Sequence, residues 1–308
     1  MGQSELRMGP IEWGLLLLLS IIWGGSFLLG KITVHELPPV TVAWLRVALA
    51  AASLALVLGA TGGRFPRGIT GWAPFLIMGL VNNALPFSLI FLGQHLGVGA
   101  GLASVLNATT PMFGGILGHL LTAEEKLRAN RLAGVLIGIG GVVVLVGPSV
   151  LTGLGANLEG QLAVLAAAAC YGLASVYARR FRGTPPLASA CCQLVCSTLI
   201  LTPVACILDR PWQVPMPSLQ IVLALVVLAL VCTSLAYVIF FTIIARAGSM
   251  NVMLVTLLVP LSAVVLAALL LGERLTAGQL LGGGIILLAL VVIDGRALAA
   301  LRHMRLAF

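Results

Sequence analysis

The sequence predicts an all-α integral membrane protein, in which ten transmembrane helices form two inverted five-helix repeats. Three observations predict this fold class. First, 60% of the 308 residues are hydrophobic and only 8% are charged, whereas about a quarter of the residues in a soluble domain are charged. Second, apolar runs of 17 to 25 residues follow one another along the chain, and each is long enough to cross roughly 30 Å of hydrocarbon as a helix. Third, one charged motif occurs twice.

The apolar runs define the predicted spans. They lack the period-two alternation of β-strands, and helices satisfy their own backbone hydrogen bonds in lipid. The first run is longer than the core of a signal peptide and is not followed by a small-residue cleavage site, so we expect it to stay in the protein. In chain order the spans are Trp13–Val34, Val40–Ala60, Trp72–Gly93, Gly99–Leu121, Leu132–Pro148, Gly160–Ala178, Pro186–Leu208, Pro217–Phe241, Ser249–Gly272 and Ala277–Ile293.

The repeated motif divides the chain into two halves. EEKLRANRLAG, before the fifth span, returns 148 residues later as GERLTAGQLLG, before the tenth, and an offset of 149 pairs Pro111 with Pro260. Because each half has an odd number of spans, the second half enters the membrane from the opposite face, which is typical of secondary transporters. We interpret the motif itself as a hydrated polar hairpin. The predicted domains are residues 1–148 and residues 149–308.

The distribution of positive charge predicts how the spans are oriented. Thirteen Lys and Arg residues lie on the side of the two termini and three on the other side, with Arg46 inside the second span. The side richer in Lys and Arg faces the cytoplasm, so we expect both termini there. The net charge of +8 is therefore a signal of topology, and we expect no nucleic-acid partner.

Prolines within spans three, four and nine predict kinks. Pro111 and Pro260 each remove one backbone hydrogen bond near the middle of a span, and Pro86 follows two asparagines in span three. Broken backbone at membrane depth is tolerated where it faces protein or a wet cavity. The polar residues beside Pro111, which include Asn107 and Thr110, fit either a cavity wall or a packed kink.

Polar and aromatic side chains at mid-depth are the candidate substrate-binding residues. A buried amide without a partner costs several kcal/mol, so the paired asparagines of span three face either a cavity or a neighbouring helix. Neutral hydrogen-bonding groups between aromatic walls suit a small zwitterionic or amphipathic solute. The candidates are Trp23, Ser26, Asn82, Asn83, Phe87, Asn107, Thr110, Tyr171, Ser175, Tyr237 and Asn251.

Arg46 is the one cation well inside a predicted span. An ionisable residue within the membrane is a functional hypothesis by default. Arg46 nevertheless lies near the outer end of its span, where a long side chain can extend to the headgroups. We interpret it as a structural charge, with substrate contact as the alternative.

The sequence disfavours other chemistries. The six cysteines lie in or near apolar spans without a CxxC pair, so we expect no metal, and without a GxxxxGK[ST] motif we expect neither ATP hydrolysis nor a cofactor. All nine carboxylates lie near span ends or in loops, whereas a proton-coupled pump or a cationic-drug site would keep one within the membrane. We therefore expect transport down the solute's own gradient, or coupling of transport to an ion through other groups. The motifs of an intramembrane enzyme and the filter or charged ring of a channel are absent.

Two five-helix repeats, each with a proline in its fourth helix and a Glu-Lys/Arg-Leu turn before its fifth, resemble the EamA family of the drug/metabolite transporter superfamily. The stretch Trp23–Ser26 and the combination of Pro39 with Arg46 also match. The resemblance covers essentially the whole chain and is nearest to bacterial exporters of the YddG type.

This resemblance implies alternating-access export of neutral and aromatic amino acids across the bacterial inner membrane. It also implies a cavity lined by the first, third and fourth helices of each repeat. The expected partners are a small-molecule solute and membrane lipids, and the expected state is a monomer. The alternative is a nucleoside, nucleotide-sugar or drug transporter of the same superfamily. A phosphorylated solute would require several cavity Lys or Arg residues, and only Arg46 is available.

Overall fold

The computed structural model describes residues 8–122, 129–147, 154, 157–181, 183–271 and 276–294, and these ranges contain helices and no strand. A short helical segment, Ser249–Val252, precedes the ninth long helix. The long helices are α1 (Pro10–Thr33), α2 (Pro39–Ala60), α3 (Gly68–His95), α4 (Ala100–Leu121), α5 (Ala129–Val146), α6 (Leu158–Tyr177), α7 (Pro186–Leu208), α8 (Leu219–Ala247), α9 (Val255–Leu271) and α10 (Ala277–Asp294).

Seven of these helices, α1 to α4 and α6 to α8, are long and apolar enough to cross a membrane. The segments Leu132–Val146 of α5 and Ala277–Ile293 of α10 are shorter apolar helices. Prolines occupy the first turns of α1, α2 and α7, where the missing N–H would have no helical partner. Much of the outward surface is apolar; Leu56, for example, is 75% exposed, as expected for side chains that face lipid.

The sequence expectations for the charged hairpins and the ends of the chain lie largely outside the described residues. The first residues of both copies of the repeated motif, and residues 1–7 and 295–308, are not among them. Span eight differs from its prediction, because α8 continues six residues beyond Phe241 to Ala247. The polar end that this extension brings into the helix is stabilised by an ion pair, in which Arg246 Nε donates to Glu12 Oε1 at 2.7 Å.

Helices α3 and α8 are each interrupted by a π-helical turn, Leu80–Ala84 in α3 and Leu230–Leu235 in α8. The turns occupy corresponding places in the two halves, since their first residues are 150 positions apart. A π turn leaves backbone carbonyls outside the regular i to i−4 pattern and is often found at functional sites. Pro86 lies just after the first turn, in the opening turn of Leu85–His95.

The other predicted kinks differ from each other. Helix α4 is divided after Asn107, and Pro111 lies in the first turn of its second part, Thr110–Leu121. Pro260, in contrast, lies inside the continuous helix α9. In the second half of the chain the helical structure is interrupted earlier, at Met253 and Leu254, before α9 begins.

The two halves pack through a matched set of helix contacts. Helix α2 packs on α7 and α5 on α10; α6 packs on α3 and α4, and α1 correspondingly packs on α8 and α9. Exchanging each helix with the one five places away therefore reproduces the main contacts, as expected for two related repeats. Glycines permit the closest approaches: a Cβ on Gly172 of α6 would lie 2.8 Å from the backbone N of Gly114 in α4.

Candidate functional site

A cavity lies inside the bundle and is lined by residues of both halves. In this conformation the space open to the centres of water-sized spheres is about 60 Å³, which is enough for several ordered water molecules. Helices α1, α2, α3, α4, α6, α8 and α9 contribute to its wall. Eight of the predicted binding residues line it: Trp23, Ser26, Asn82, Phe87, Asn107, Thr110, Tyr171 and Tyr237.

An aromatic cluster forms one wall of the cavity. Trp23 and Tyr237 meet edge to face with ring centroids 6.1 Å apart, and Phe240 lies 5.9 Å from Trp23 and 5.6 Å from Tyr237. Phe87 lies 6.5 Å from Tyr237. Edge-to-face and tilted pairs at these distances are favourable arrangements of aromatic rings. The cluster joins α1, α3 and α8 into a largely apolar surface.

The two π turns provide the backbone acceptors of this wall. Tyr237 Oη donates to the carbonyl of Asn82, in the α3 turn, at 3.0 Å. Trp23 Nε1 donates to the carbonyl of Cys232, in the α8 turn, at 3.2 Å. The same Cys232 carbonyl accepts from Arg46 Nη2 at 3.0 Å. The irregular backbone therefore orients the polar ends of three cavity side chains.

Arg46 is a cavity residue. Its side chain is 5% exposed, its Nε donates to Thr233 Oγ1 at 2.6 Å, and its guanidinium lies 4.0 Å above the centre of the Phe87 ring. No Asp or Glu among the described residues pairs with it, and no carboxylate contributes to the cavity wall. The described wall of the cavity thus contains one cation, stabilised by neutral acceptors and an aromatic face.

Asn82 combines the two roles that the sequence left open. It lines the cavity, and its Nδ2 donates across the bundle to Gln193 Oε1 of α7 at 3.3 Å. Its neighbour Asn83 is fully buried and does not line the cavity; its amide makes no hydrogen bond of standard geometry among the described residues, although it lies near the Tyr237 hydroxyl.

Two further predicted residues lie away from the cavity. Ser175 is fully buried and donates to the Gly172 carbonyl at 2.7 Å, beside the close approach of α6 to α4. Asn251 lies at the connection between α8 and α9, where its Nδ2 donates to the Ala247 carbonyl at 2.9 Å. Both contacts stabilise local backbone, so these side chains are occupied in packing and capping.

Gln94 is a fully buried cavity residue that is not among the residues predicted from the sequence. Its Nε2 donates to the Phe27 carbonyl at 2.9 Å, while Oε1 has no hydrogen-bond partner among the described residues. Gly30 makes room for it, since a Cβ there would lie 2.9 Å from Oε1. The sequence did contain a signal for this residue, because Phe87, Phe91 and Gln94 follow the i, i+4, i+7 spacing of one helix face.

Metal ligation has no support in the parts of the chain that the structure describes. Groups of three or more His, Cys, Asp or Glu side chains that could hold an ion do not occur there. All six cysteines are free thiols.

A bundle of membrane-length helices, built from two matched halves with a polar and aromatic cavity between them, defines the class of helical membrane transporters. The chain belongs to the EamA-like transporter family, whose model matches it twice, over residues 12–147 and 158–294. This confirms the resemblance seen in the sequence and shows the two-repeat architecture. The protein is a membrane transporter of the drug/metabolite transporter superfamily.

Several relatives cover nearly the whole chain. A protein of Escherichia coli K12 named as a probable amino-acid metabolite efflux pump is 30% identical and covers 90% of this chain and 93% of its own. The uncharacterized inner membrane transporter YedA of the same strain is 26% identical, over 91% of this chain and 90% of its own. A solved crystal structure shares the fold, with a TM-score of 0.69 at 19% identity and coverage of 92% of this chain and 95% of that one.

Proposed function

We propose that the protein exports small neutral and aromatic amino acids, or related amphipathic metabolites, across the bacterial inner membrane by alternating access and down the solute's own gradient. The central cavity is the observation that carries this proposal. Its wall combines an aromatic surface with neutral hydrogen-bonding groups and a single cation, and it includes no carboxylate from the described residues. A small solute with an apolar side chain and polar ends matches that wall. The E. coli relative, named as a probable amino-acid metabolite efflux pump, supports the same substrate class.

The cavity volume supports a change of conformation during transport. A space of about 60 Å³ is well below the roughly 300–1,000 Å³ of ordinary small-molecule pockets, so the walls must separate for loading and release. Two inverted repeats supply such a motion, because exchanging the conformations of the halves converts an inward-facing state to an outward-facing one. We also propose that the chain crosses the membrane ten times, that both termini lie in the cytoplasm, and that the protein acts as a monomer whose whole cavity lies within one chain.

Contacts between distant segments support this topology. Glu12 pairs with Arg246 at 2.7 Å, and both lie on the side that the charge distribution assigns to the cytoplasm. Glu36 accepts from the backbone N and the hydroxyl of Ser218, each at 2.8 Å, and both lie on the predicted outer side. Each contact therefore joins segments that the topology places on the same face.

The two alternative substrate classes fit the cavity less well. A nucleotide sugar carries phosphates that need several cations, whereas Arg46 is the one Lys or Arg in the described cavity wall. A cationic drug needs a buried carboxylate, which the described wall does not contain. The missing carboxylates also support transport without proton coupling.

Flux into and out of proteoliposomes tests the proposal. Radiolabelled neutral and aromatic amino acids are followed with and without an imposed pH gradient, for the wild type, Asn82→Ala and the control Asn251→Ala. We expect saturable flux that is indifferent to the pH gradient, reduced in Asn82→Ala and retained in the control, whose amide lies outside the cavity. Flux that follows the proton gradient overturns the facilitative mechanism, and no flux of any amino acid overturns the substrate class.

A further inference from the structure

The charge of Arg46 is unbalanced within the described part of the protein. The guanidinium is buried and cationic, and its partners are a hydroxyl, a carbonyl and aromatic rings. A buried charge without an opposite charge is costly. Arg46 Nη1 makes none of these hydrogen bonds, so part of the guanidinium remains for another acceptor. A guanidinium presents its donors in a planar fork that matches a carboxylate.

The same cavity contains acceptors without donors. Gln94 Oε1 and Asn107 Oδ1 are buried and have no hydrogen-bond partner among the described residues. The orientation of Gln94 follows from its Nε2, which donates to the Phe27 carbonyl; exchanging N and O would place two acceptors against each other. A buried acceptor left unpaired loses its hydration without gaining a hydrogen bond in return. A donor on a bound solute would supply that hydrogen bond.

The nearby Lys31 does not supply this donor. Its Nζ donates to the backbone carbonyl of Gln94 at 2.6 Å, and Lys31 is not part of the cavity wall. Lys31 therefore leaves the side-chain oxygen of Gln94, which packs beside Gly30, without a donor. An ammonium group has three donors and no acceptor, which is the complement of the two unpaired amide oxygens.

We propose, on the basis of the proposed function, that the cavity binds both charged ends of an α-amino acid through separate groups. Arg46 receives the carboxylate, the amide oxygens of Gln94 and Asn107 receive the ammonium, and the aromatic wall holds the side chain. Arg46 is then a specificity-determining residue, and its partner is the substrate. Solutes that carry one of the two charged groups leave either the cation or the amide oxygens unpaired.

Competition in proteoliposomes tests this assignment. Uptake of radiolabelled phenylalanine is measured against three unlabelled competitors: phenylalanine, phenylalaninol, which lacks the carboxylate, and 3-phenylpropionate, which lacks the ammonium. Hydrogen bonds to charged groups are each worth about 1.5–3 kcal/mol, so each single-ended competitor should be about 10- to 100-fold weaker than phenylalanine. Equal competition by all three in the wild type overturns the proposal without any variant.

Variants assign the two ends separately. Arg46→Gln should abolish the preference for phenylalanine over phenylalaninol and leave the preference over 3-phenylpropionate. Asn107→Ala should reduce the second preference and leave the first. Arg46→Lys keeps the charge without the fork and should give an intermediate ratio, which preserves the test if the glutamine variant does not fold. Arg246→Gln, which removes a guanidinium outside the cavity, is the matched control.

The outcomes separate the two proposals. No uptake of any amino acid by the wild type refutes the proposed function. Uptake with unchanged competitor ratios in Arg46→Gln or Arg46→Lys leaves the function in place and refutes the role of Arg46. Because each result is a ratio within one variant, differences in expression between variants cancel.

Discussion

The interface between α5 and α10 gives the sharpest test of the packing. Gly282 of α10 lies directly against Leu145 of α5, and a Cβ at this glycine would overlap the backbone N and Cα of Leu145. Backbone atoms cannot rotate away as the end of a side chain can. Gly284, two residues further along the same helix, is exposed, and a Cβ there would have no atom within 4 Å. The two positions therefore allow one substitution to be compared in two environments.

Gly282→Ala and Gly284→Ala should change stability in opposite directions. Both gain helix propensity, worth up to about 1 kcal/mol. Only Gly282→Ala forces the helices apart, and overpacking costs about 1–3 kcal/mol. The difference between the variants cancels the propensity and isolates the overpacking. At about 2 °C per kcal/mol for a chain of this size, the Gly282→Ala protein should melt about 2–6 °C below the Gly284→Ala protein.

Thermal unfolding of the purified variants in one detergent, followed by intrinsic fluorescence, measures this difference. A Gly282→Ala protein as stable as Gly284→Ala would show that α5 and α10 are not in close backbone contact. Equal destabilisation by both substitutions would contradict the assumption that the exposed glycine is free of tertiary contact.

Three further predictions concern hydrogen bonds and charges. Hydrogen bonds from Ser218 hold the pKa of Glu36 below its ordinary value of 4.5. The ionised carboxylate therefore stabilises the fold above pH 4.5, and this stabilisation is lost as the pH falls through the lowered pKa. The difference in Tm between the wild type and Glu36→Gln should shrink as the pH falls through this range. The ion pair of Glu12 and Arg246 is partly exposed, so a double-mutant cycle should give a weak coupling that decreases with added salt. A strong coupling that persists at high salt would show a more buried pair. Tyr237→Phe removes the donor to a π-turn carbonyl and should cost about 0.5–1.5 kcal/mol in unfolding experiments, and no change would mean that the hydroxyl is not bonded there.

Much of the site could be predicted because its residue types are costly in lipid. An amide or a phenol at mid-depth, such as Asn107 or Tyr237, requires a partner or a wet cavity, and both line the cavity. The same reasoning could not separate Ser175 from the cavity residues, because a hydroxyl that bonds its own helix looks identical in sequence. Asn251 was included for its polarity, although it caps the connection to α9.

Arg46 shows where the sequence was ambiguous. Its place near a span end allowed extension to the headgroups, whereas packing on Phe87 and a hydrogen bond to Thr233 place it at the cavity. Thr233 lies 187 residues away along the chain. Neither the spacing nor the composition of span two could therefore predict that contact.

The sequence by itself determined the all-helical membrane class, the two repeats and the family, because each depends on local hydrophobicity and on similarity along the chain. Only the tertiary structure decided which polar groups meet. The π turns of α3 and α8 arise without a distinct sequence signal, yet their carbonyls orient Tyr237, Trp23 and Arg46. The cavity chemistry depends on side chains from distant helices, and the free energy of burying a polar group depends on partners that the chain reaches only after it has folded.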